Sequence, residues 1–301
     1  MERWKRNMKS KKRISLGSLL FDVAIYVGLL CLFVITFYPM WYVVVASFAT
    51  TKEVALSGGL LLWPKEIVTG AYRLVFANKG LMRGFLNTVK ILVTSLPLNI
   101  IMTMLCGYFL SCTNMLWKKP IALMMMFTMY FSGGLVPSYL NIRDLGLYDT
   151  HWALILPGVL SIYNAIICKT AIEAIPISLS ESAYIDGASD FQVMWKIITP
   201  LLKPTLAVLT LYYGVATWNS WFNASMYLQS TELYPMQYVL QEILKANSEM
   251  VKNVASGDDF DQYAETIKYA AIVVATVPIV CVYPFLQKHF AKGVMIGAVK
   301  G

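Results

Sequence analysis

Six long stretches without a charged residue constrain the fold of this chain more than any other feature of its sequence. They cover residues 23–51, 91–117, 120–142, 152–168, 205–231 and 269–287. About 20 apolar residues are enough for a helix to cross the hydrocarbon core of a bilayer, and each stretch approaches or exceeds that length. The chain is 57% hydrophobic and only 14% charged, which is typical of a multi-span membrane protein. We therefore predict an all-α integral membrane protein with six transmembrane helices.

Lysine and arginine residues predict the orientation of these helices. They are dense in the N-terminal segment 1–18 and recur between the second and third spans, around 173–203, and in the tail 291–301. Basic residues accumulate in short cytoplasmic loops, so both termini are predicted to be cytoplasmic. Residues 19–290 then form the transmembrane domain, with an acidic outer loop at about 228–266. The net charge of +8 reflects this topology and contact with anionic membrane lipid, and nucleic-acid binding is not predicted.

A polar segment at about 173–203 has the spacing of two short helices. Ser178 lies three residues before Glu181, which is the separation of a capping box, and Gly187 is predicted to end the first helix in the left-handed conformation. Ser189 and Gln192 repeat the capping-box separation at the start of the second helix.

The second helix of this segment is predicted to bury one apolar face. Its members recur at positions i, i+3, i+4 and i+7, namely Phe191, Met194, Trp195 and Ile198. Pro200 and Pro204 are predicted to stop the helix, because proline lacks the backbone donor. Such a helix pair either docks a partner or lies on the membrane surface or on the chain's own helices.

The segment resembles the cytoplasmic "EAA" loop of the permease subunits of binding-protein-dependent ABC importers. The family positions are occupied by Glu181, Ala183, Gly187, Ile197 and Pro200, whereas Ser182 and Thr199 depart from the pattern. The Asp186-Gly187-Ala188 sequence and the tail from Tyr283 to Gly301 are similar to the carbohydrate-uptake branch, and most similar to maltose-permease-like subunits that import oligosaccharides. The resemblance extends from the first apolar stretch to the last residue.

This resemblance implies a type I ABC importer permease fold in a bacterial cell membrane, with the segment as its cytoplasmic coupling loop. The implied partners are a homologous second permease, two ABC ATPase subunits and an extracytoplasmic solute-binding protein. The residues implied to dock the ATPase are Glu181, Ser182, Ala183, Asp186, Gly187, Ala188, Phe191 and Pro200.

Several absent features narrow the function. The sequence has no phosphate-binding loop, so ATP hydrolysis is predicted to belong to separate subunits. The two histidines, His151 and His289, are isolated, and no catalytic, metal or cofactor site is predicted. The six apolar stretches lack the charged groups that ion-coupled secondary transporters place at mid-membrane. A secondary transporter, a membrane scaffold and an ABC permease for a non-carbohydrate solute remain as alternatives.

The fifth apolar stretch contains candidate substrate residues. Tyr212, Asn219, Asn223 and Tyr227 are predicted to share one helical face, beside Trp218 and Trp221. Aromatic rings stack on the C–H faces of sugars and amides bind their hydroxyls. The alternative is an ordinary interfacial belt of aromatic residues or contact with a neighbouring helix. Basic residues in the first outer loop are compatible with an acidic, uronate-containing oligosaccharide.

Three further predictions concern the outer side. Pro157 and Gly158 are expected to break or tilt the fourth span. Gly133 and Gly134 are expected to end the third span before a short outer loop, in which Arg143 and Asp144 are candidates for contact with the binding protein. Residues 236–246 are expected to be partly helical.

Overall fold

The computed structural model describes residues 16–112, 115–245 and 265–298. Helices are the only regular secondary structure in these ranges, so the predicted all-α fold is confirmed. The predictions for the basic N-terminal segment up to residue 15, for residues 246–264 of the outer loop and for the last three residues lie outside the described residues.

The N-terminal third of the chain contains two long helices. These are α1 (Leu16–Ala46) and α4 (Lys79–Ser111), and two short helices lie between them, α2 (Thr51–Leu56) and α3 (Gly70–Ala77). α4 begins ahead of the predicted stretch 91–117 because the Asn78 carbonyl Oδ1 accepts a hydrogen bond from the amide of Leu81 at 3.0 Å and caps the helix there.

The third and fourth predicted spans are interrupted. α5 (Lys118–Tyr130) and α6 (Leu135–Asp144) meet at 115°, and Arg143 and Asp144 form the last turn of α6 instead of lying in a loop. α7 (Trp152–Ile155) is separated from α8 (Ile162–Glu173) by a non-helical segment that contains Pro157 and Gly158. The predicted break in the fourth span is therefore confirmed.

The polar segment forms two helices, α9 (Ile177–Ile185) and α10 (Asp190–Leu201). We call residues 177–201 the helix–turn–helix segment. Its first helix bends by 74° from α8, and its second bends by 84° from the next helix, α11 (Lys203–Trp218). The segment thus leaves the direction of the flanking helices at both ends.

The C-terminal part begins with α12 (Trp221–Tyr227) and a 3₁₀ turn at Thr231–Leu233. α13 (Met236–Lys245) follows and confirms the helix expected at 236–246 as far as residue 245. The last helix is α14 (Thr266–Ala298).

Two of the described helices are individually long and apolar enough to cross a membrane, Leu19–Ala46 and Lys79–Ser111. The number rises to five when each of the three bent pairs counts as one span. The sixth predicted span falls in α14, where Thr266–Cys281 is a shorter apolar stretch.

Packing around α4 organises the interior. α4 contacts α8, α11 and α13. It approaches α8 so closely that a Cβ at Gly107 would lie 2.9 Å from Cβ of Cys168, hence only glycine fits there. The Thr103 and Tyr213 hydroxyls are 2.7 Å apart, and Tyr213 also accepts the Ser161 amide at 2.9 Å, so α4, α8 and α11 are joined by polar contacts as well as by apolar ones.

Candidate functional site

Gly187 forms the turn of the helix–turn–helix segment. Its φ of +81° is left-handed, as the sequence predicted. The Gly187 amide donates to the Tyr184 carbonyl at 3.0 Å, and the Ala188 amide donates to the Ala183 carbonyl at 2.9 Å. These two bonds make a Schellman motif, which satisfies carbonyls at the end of α9 and fixes the direction of the chain.

A capping box begins α10. The Ser189 hydroxyl accepts the Gln192 amide at 3.4 Å, and the Gln192 side-chain oxygen accepts the Ser189 amide at 2.9 Å. This prediction is confirmed. The equivalent prediction for Ser178 and Glu181 is wrong, because α9 already begins after Pro176, whose fixed φ starts the helix without a side-chain cap.

The interior of α10 differs from the predicted α-helix. Residues Val193–Ile198 form a π-helix, whose wider turn places Val193 and Met194 together in the core with Ile198. Phe191, expected on the buried face, is 64% exposed. α10 continues for one residue past Pro200 and ends at Leu201, before Pro204 in the first turn of α11, so the predicted stop at the two prolines is confirmed. The Thr199 hydroxyl donates to the Met194 carbonyl at 2.8 Å.

The helix–turn–helix segment is mounted on three neighbouring helices. One apolar cluster joins the segment to these helices. The segment contributes Ala183, Val193, Met194 and Ile198. The neighbouring helices contribute Met104 of α4, Cys168 and Ile172 of α8, Leu202 just before α11, and Leu209 within α11. Met104, Cys168, Val193 and Leu209 have no exposed surface at all. The segment therefore has a fixed orientation relative to these helices.

Three polar side chains connect the turn to α4. The Tyr184 hydroxyl donates to Oδ1 of Asp190 at 2.6 Å, and the Tyr108 hydroxyl lies 3.1 Å from the Tyr184 hydroxyl and 3.5 Å from the same carboxylate oxygen. Burial and the adjacent Asp190 carboxylate raise the pKa of Tyr184, which keeps its proton on the donor oxygen.

Sequence reasoning missed this cluster. Tyr184 and Asp190 flank the Gly187 turn, so their proximity was inferable once the turn was predicted. Tyr108 lies in another predicted span, and no sequence spacing indicates its position.

The outward surface of the segment is apolar with acidic groups. Ile177, Ile185 and Phe191 are 65%, 86% and 64% exposed. Glu181 and Asp186 are exposed beside them.

The eight predicted docking residues separate into two groups. The exposed ones are Glu181, Ser182, Asp186, Gly187, Phe191 and Pro200. Ala183 is buried and Ala188 is partly buried. Six of the eight residues are thus exposed, and the two alanines pack into the apolar cluster.

The predicted substrate residues do not share one helical face. α11 ends at Trp218 and α12 begins at Trp221, because Asn219 caps α11 and donates its Nδ2 to the Val215 carbonyl at 3.0 Å. Trp218 is only 7% exposed and donates its Nε1 to the Ala275 carbonyl at 3.3 Å. Tyr227 is buried as well. These two residues belong to the core.

Asn223 is the predicted substrate residue that lines a cavity. The cavity has a volume of about 140 Å³, and its polar lining is formed by Thr88, Tyr213, Thr217, Ser220 and Asn223. Tyr212 and Asn219 are exposed elsewhere on α11. Trp221 lies under the Lys245 ammonium, 5.1 Å from the ring centroid.

Asp149, in the turn before α7, is hydrogen bonded to the segment that follows α12. The Asp149 carboxylate accepts the amides of Gln229 and Ser230, both at 2.8 Å, and the Ser230 hydroxyl at 2.5 Å. The Ser230 hydroxyl, followed by the two amides, lowers the pKa of Asp149. Arg143 and Asp144, the predicted candidates for contact with a binding protein, form an exposed ion pair at 3.6 Å.

Two proteins of Bacillus subtilis are similar to this chain over most of its length. The chain is 40% identical to the polygalacturonan/rhamnogalacturonan transport system permease protein YtcP of Bacillus subtilis over 94% of this chain and 99% of that protein. It is 38% identical to protein LplC of the same organism, over 89% and 90% of the two chains.

A solved structure is also similar. It is a chain of a bacterial ABC transporter involved in the import of the acidic polysaccharide alginate, with 28% identity and a TM-score of 0.82 over 92% of this chain and 98% of that chain. Residues 67–296 match the family model described as "Binding-protein-dependent transport system inner membrane component". The chain therefore belongs to the family of inner-membrane components of binding-protein-dependent transport systems, which are the permease subunits of ABC importers.

Proposed function

We propose that this permease moves oligosaccharides inward by alternating access, driven by separate ATPase subunits. It works beside a homologous second permease, two copies of an ABC ATPase and an extracytoplasmic solute-binding protein. Both termini and the helix–turn–helix segment face the cytoplasm, and the outer loop at about 228–266 faces the opposite side. This orientation follows the distribution of lysine and arginine in the sequence.

The observation that carries the coupling proposal is the two-sided construction of the helix–turn–helix segment. One side is fixed in the cluster that contains Met104, Cys168 and Leu209, and the other exposes Ile185, Phe191 and acidic groups. A rigid mount with an exposed contact face is suited to transmit the movement of a docked ATPase. Closure of the ATPase dimer then rotates the packed helices as rigid bodies and exchanges inward for outward access.

The substrate class that we propose is an acidic, uronate-containing oligosaccharide. Two of the similar proteins carry such substrates in their names, namely a polygalacturonan/rhamnogalacturonan transport system permease protein and a transporter involved in the import of the acidic polysaccharide alginate. In this chain the Lys245 ammonium over the Trp221 ring combines a cation for a carboxylate with an aromatic surface for a sugar ring. Asn223 and the hydroxyls of Thr217 and Ser220, which line a cavity that does not include Lys245 or Trp221, offer hydrogen bonds to neutral sugar groups.

Transport by the complete reconstituted importer tests this proposal. Proteoliposomes that contain both permeases and the ATPase, supplied with the binding protein, are expected to take up oligogalacturonates only when ATP is present on the cytoplasmic face. Neutral maltooligosaccharides of equal length serve as the matched control. Uptake without ATP would refute the importer mechanism, and equal uptake of the neutral sugars would refute the acidic substrate class.

A further inference from the structure

α4 is placed to connect the two faces of the membrane domain. It contains 33 residues, and Asn87 and Tyr108 lie near its opposite ends. At 1.5 Å per residue these two positions are about 30 Å apart, which is the thickness of the hydrocarbon core. Pro97 removes one internal hydrogen bond without ending the helix. One continuous element therefore carries polar contacts at both surfaces.

At one end, Tyr108 joins α4 to the helix–turn–helix segment. Its hydroxyl contacts the Tyr184 hydroxyl at 3.1 Å and the Asp190 carboxylate at 3.5 Å. Both partners flank the Gly187 turn, so Tyr108 touches the segment where its two helices meet. Gly107, next to it, holds α4 in contact with α8.

At the other end, α4 holds the backbone that leads into α13. Asn87 donates its Nδ2 to the carbonyls of Glu232 and Tyr234, at 2.7 and 3.1 Å. The buried Thr88 hydroxyl accepts the Met236 amide at 2.9 Å. Arg83 also donates to the Glu232 carboxylate at 3.2 Å. Residues 232–236 are therefore attached to α4 by four hydrogen bonds to its side chains.

We propose that α4 mechanically links the docking turn to outer residues 231–236, with Tyr108 as the positioning residue at the inner end. The inference rests on the proposed function, since it assumes that an ATPase moves the helix–turn–helix segment. When the turn moves, the Tyr108 contacts carry α4 with it, and the Asn87 and Thr88 contacts pull the outer segment. The movement thereby reaches the side where a binding protein approaches.

Tyr108→Phe tests the inner contact selectively. It removes the hydroxyl that reaches the turn but retains the ring and the bond between Tyr184 and Asp190. The complete transporter is prepared with and without ATP plus vanadate, which traps the closed ATPase dimer, and hydrogen–deuterium exchange is measured over 231–236. We expect the vanadate-induced change in exchange to fall about fivefold, at the lower end of allosteric couplings. Co-purification of the ATPase is expected to be unchanged.

Two companion variants complete the test. Tyr163→Phe, on an exposed side chain of α8, is the matched control and is expected to respond as the parent does. Asn87→Leu removes the two hydrogen bonds of Asn87 from the outer attachment and is expected to reduce the response. The double variant with Tyr108→Phe is expected to lose no more than the stronger single variant. Losses that multiply would indicate two independent links and overturn the inference.

The outcomes also separate the inference from the proposed function. A full outer response in Tyr108→Phe with a normally bound ATPase would overturn the positioning role of Tyr108 in this link and leave the importer mechanism standing. A parent transporter whose outer segment does not respond to vanadate trapping would overturn both.

Discussion

Gly187→Val is the sharpest test of the docking turn. Gly187 has φ +81°, and a Cβ placed on it would meet no atom within 4 Å. The penalty of the substitution is therefore conformational and does not arise from a clash with neighbours. A β-branched residue in this region costs about 1–3 kcal/mol, and about 2 kcal/mol shifts the equilibrium between the formed and the open turn by about 30-fold.

The expected result is a permease that inserts normally but binds its ATPase weakly. The spans are stabilised by packing elsewhere, so the expression and monodispersity of Gly187→Val should match the parent. Co-purification of the ATPase and ATP-dependent sugar uptake should both fall severalfold.

Gly187→Asn provides the matched control, because asparagine adopts left-handed conformations at low cost. It should retain most of the docking and uptake. Normal ATPase association and uptake in Gly187→Val would refute the reasoning and favour a helix pair that lies passively on the membrane surface. Equal defects in both variants would also contradict it, since the penalty would not follow backbone preference.

Two further predictions concern charged groups. Glu181→Lys reverses an exposed charge on the proposed docking face and is expected to weaken co-purification of the ATPase. Glu66→Lys, at an exposed position before α3, is the control and should leave co-purification unchanged. Equal effects of the two variants would rule out a specific contact at Glu181. The pKa of Asp149 is lower in the folded protein than its ordinary value of 3.8, so its hydrogen bonds stabilise the fold above that pH and weaken as the pH falls through the lowered value. Asp149→Asn should reduce protection of the Gln229 and Ser230 amides from hydrogen exchange at neutral pH, and the difference from the parent should shrink below pH 3.8; a difference that is independent of pH would contradict the role of the carboxylate.

Local sequence rules predicted the turn of the helix–turn–helix segment well. The Gly187 conformation and the Ser189–Gln192 capping box depend on residues within a few positions of each other, so spacing alone predicts them. The start of α9 was mispredicted because Pro176 competes with Ser178 for the first turn. Of the face predicted for α10, Met194 and Ile198 are buried and Trp195 packs against the same cluster, whereas Phe191, ahead of the π turn, is exposed.

The candidate substrate residues show what hydropathy alone does not predict. A single apolar stretch at 205–231 suggested one helix, but Asn219 and Ser220 divide it into α11 and α12. The division sends Trp218 into the core against Ala275 and leaves Asn223 at a cavity. Hydropathy does not distinguish a continuous span from a broken one, since both halves are equally apolar.

By itself the sequence determined the membrane class, the all-helical architecture and the position of the Gly187 turn, because long uncharged stretches and local capping patterns depend only on neighbouring residues. Only the tertiary structure decided which groups meet across the fold. Tyr108 reaches Asp190, and Asn87 reaches Glu232, over separations of 82 and 145 residues. Such contacts depend on how helices pack, and packing is set by the shapes of many side chains at once, which no single segment of the sequence encodes.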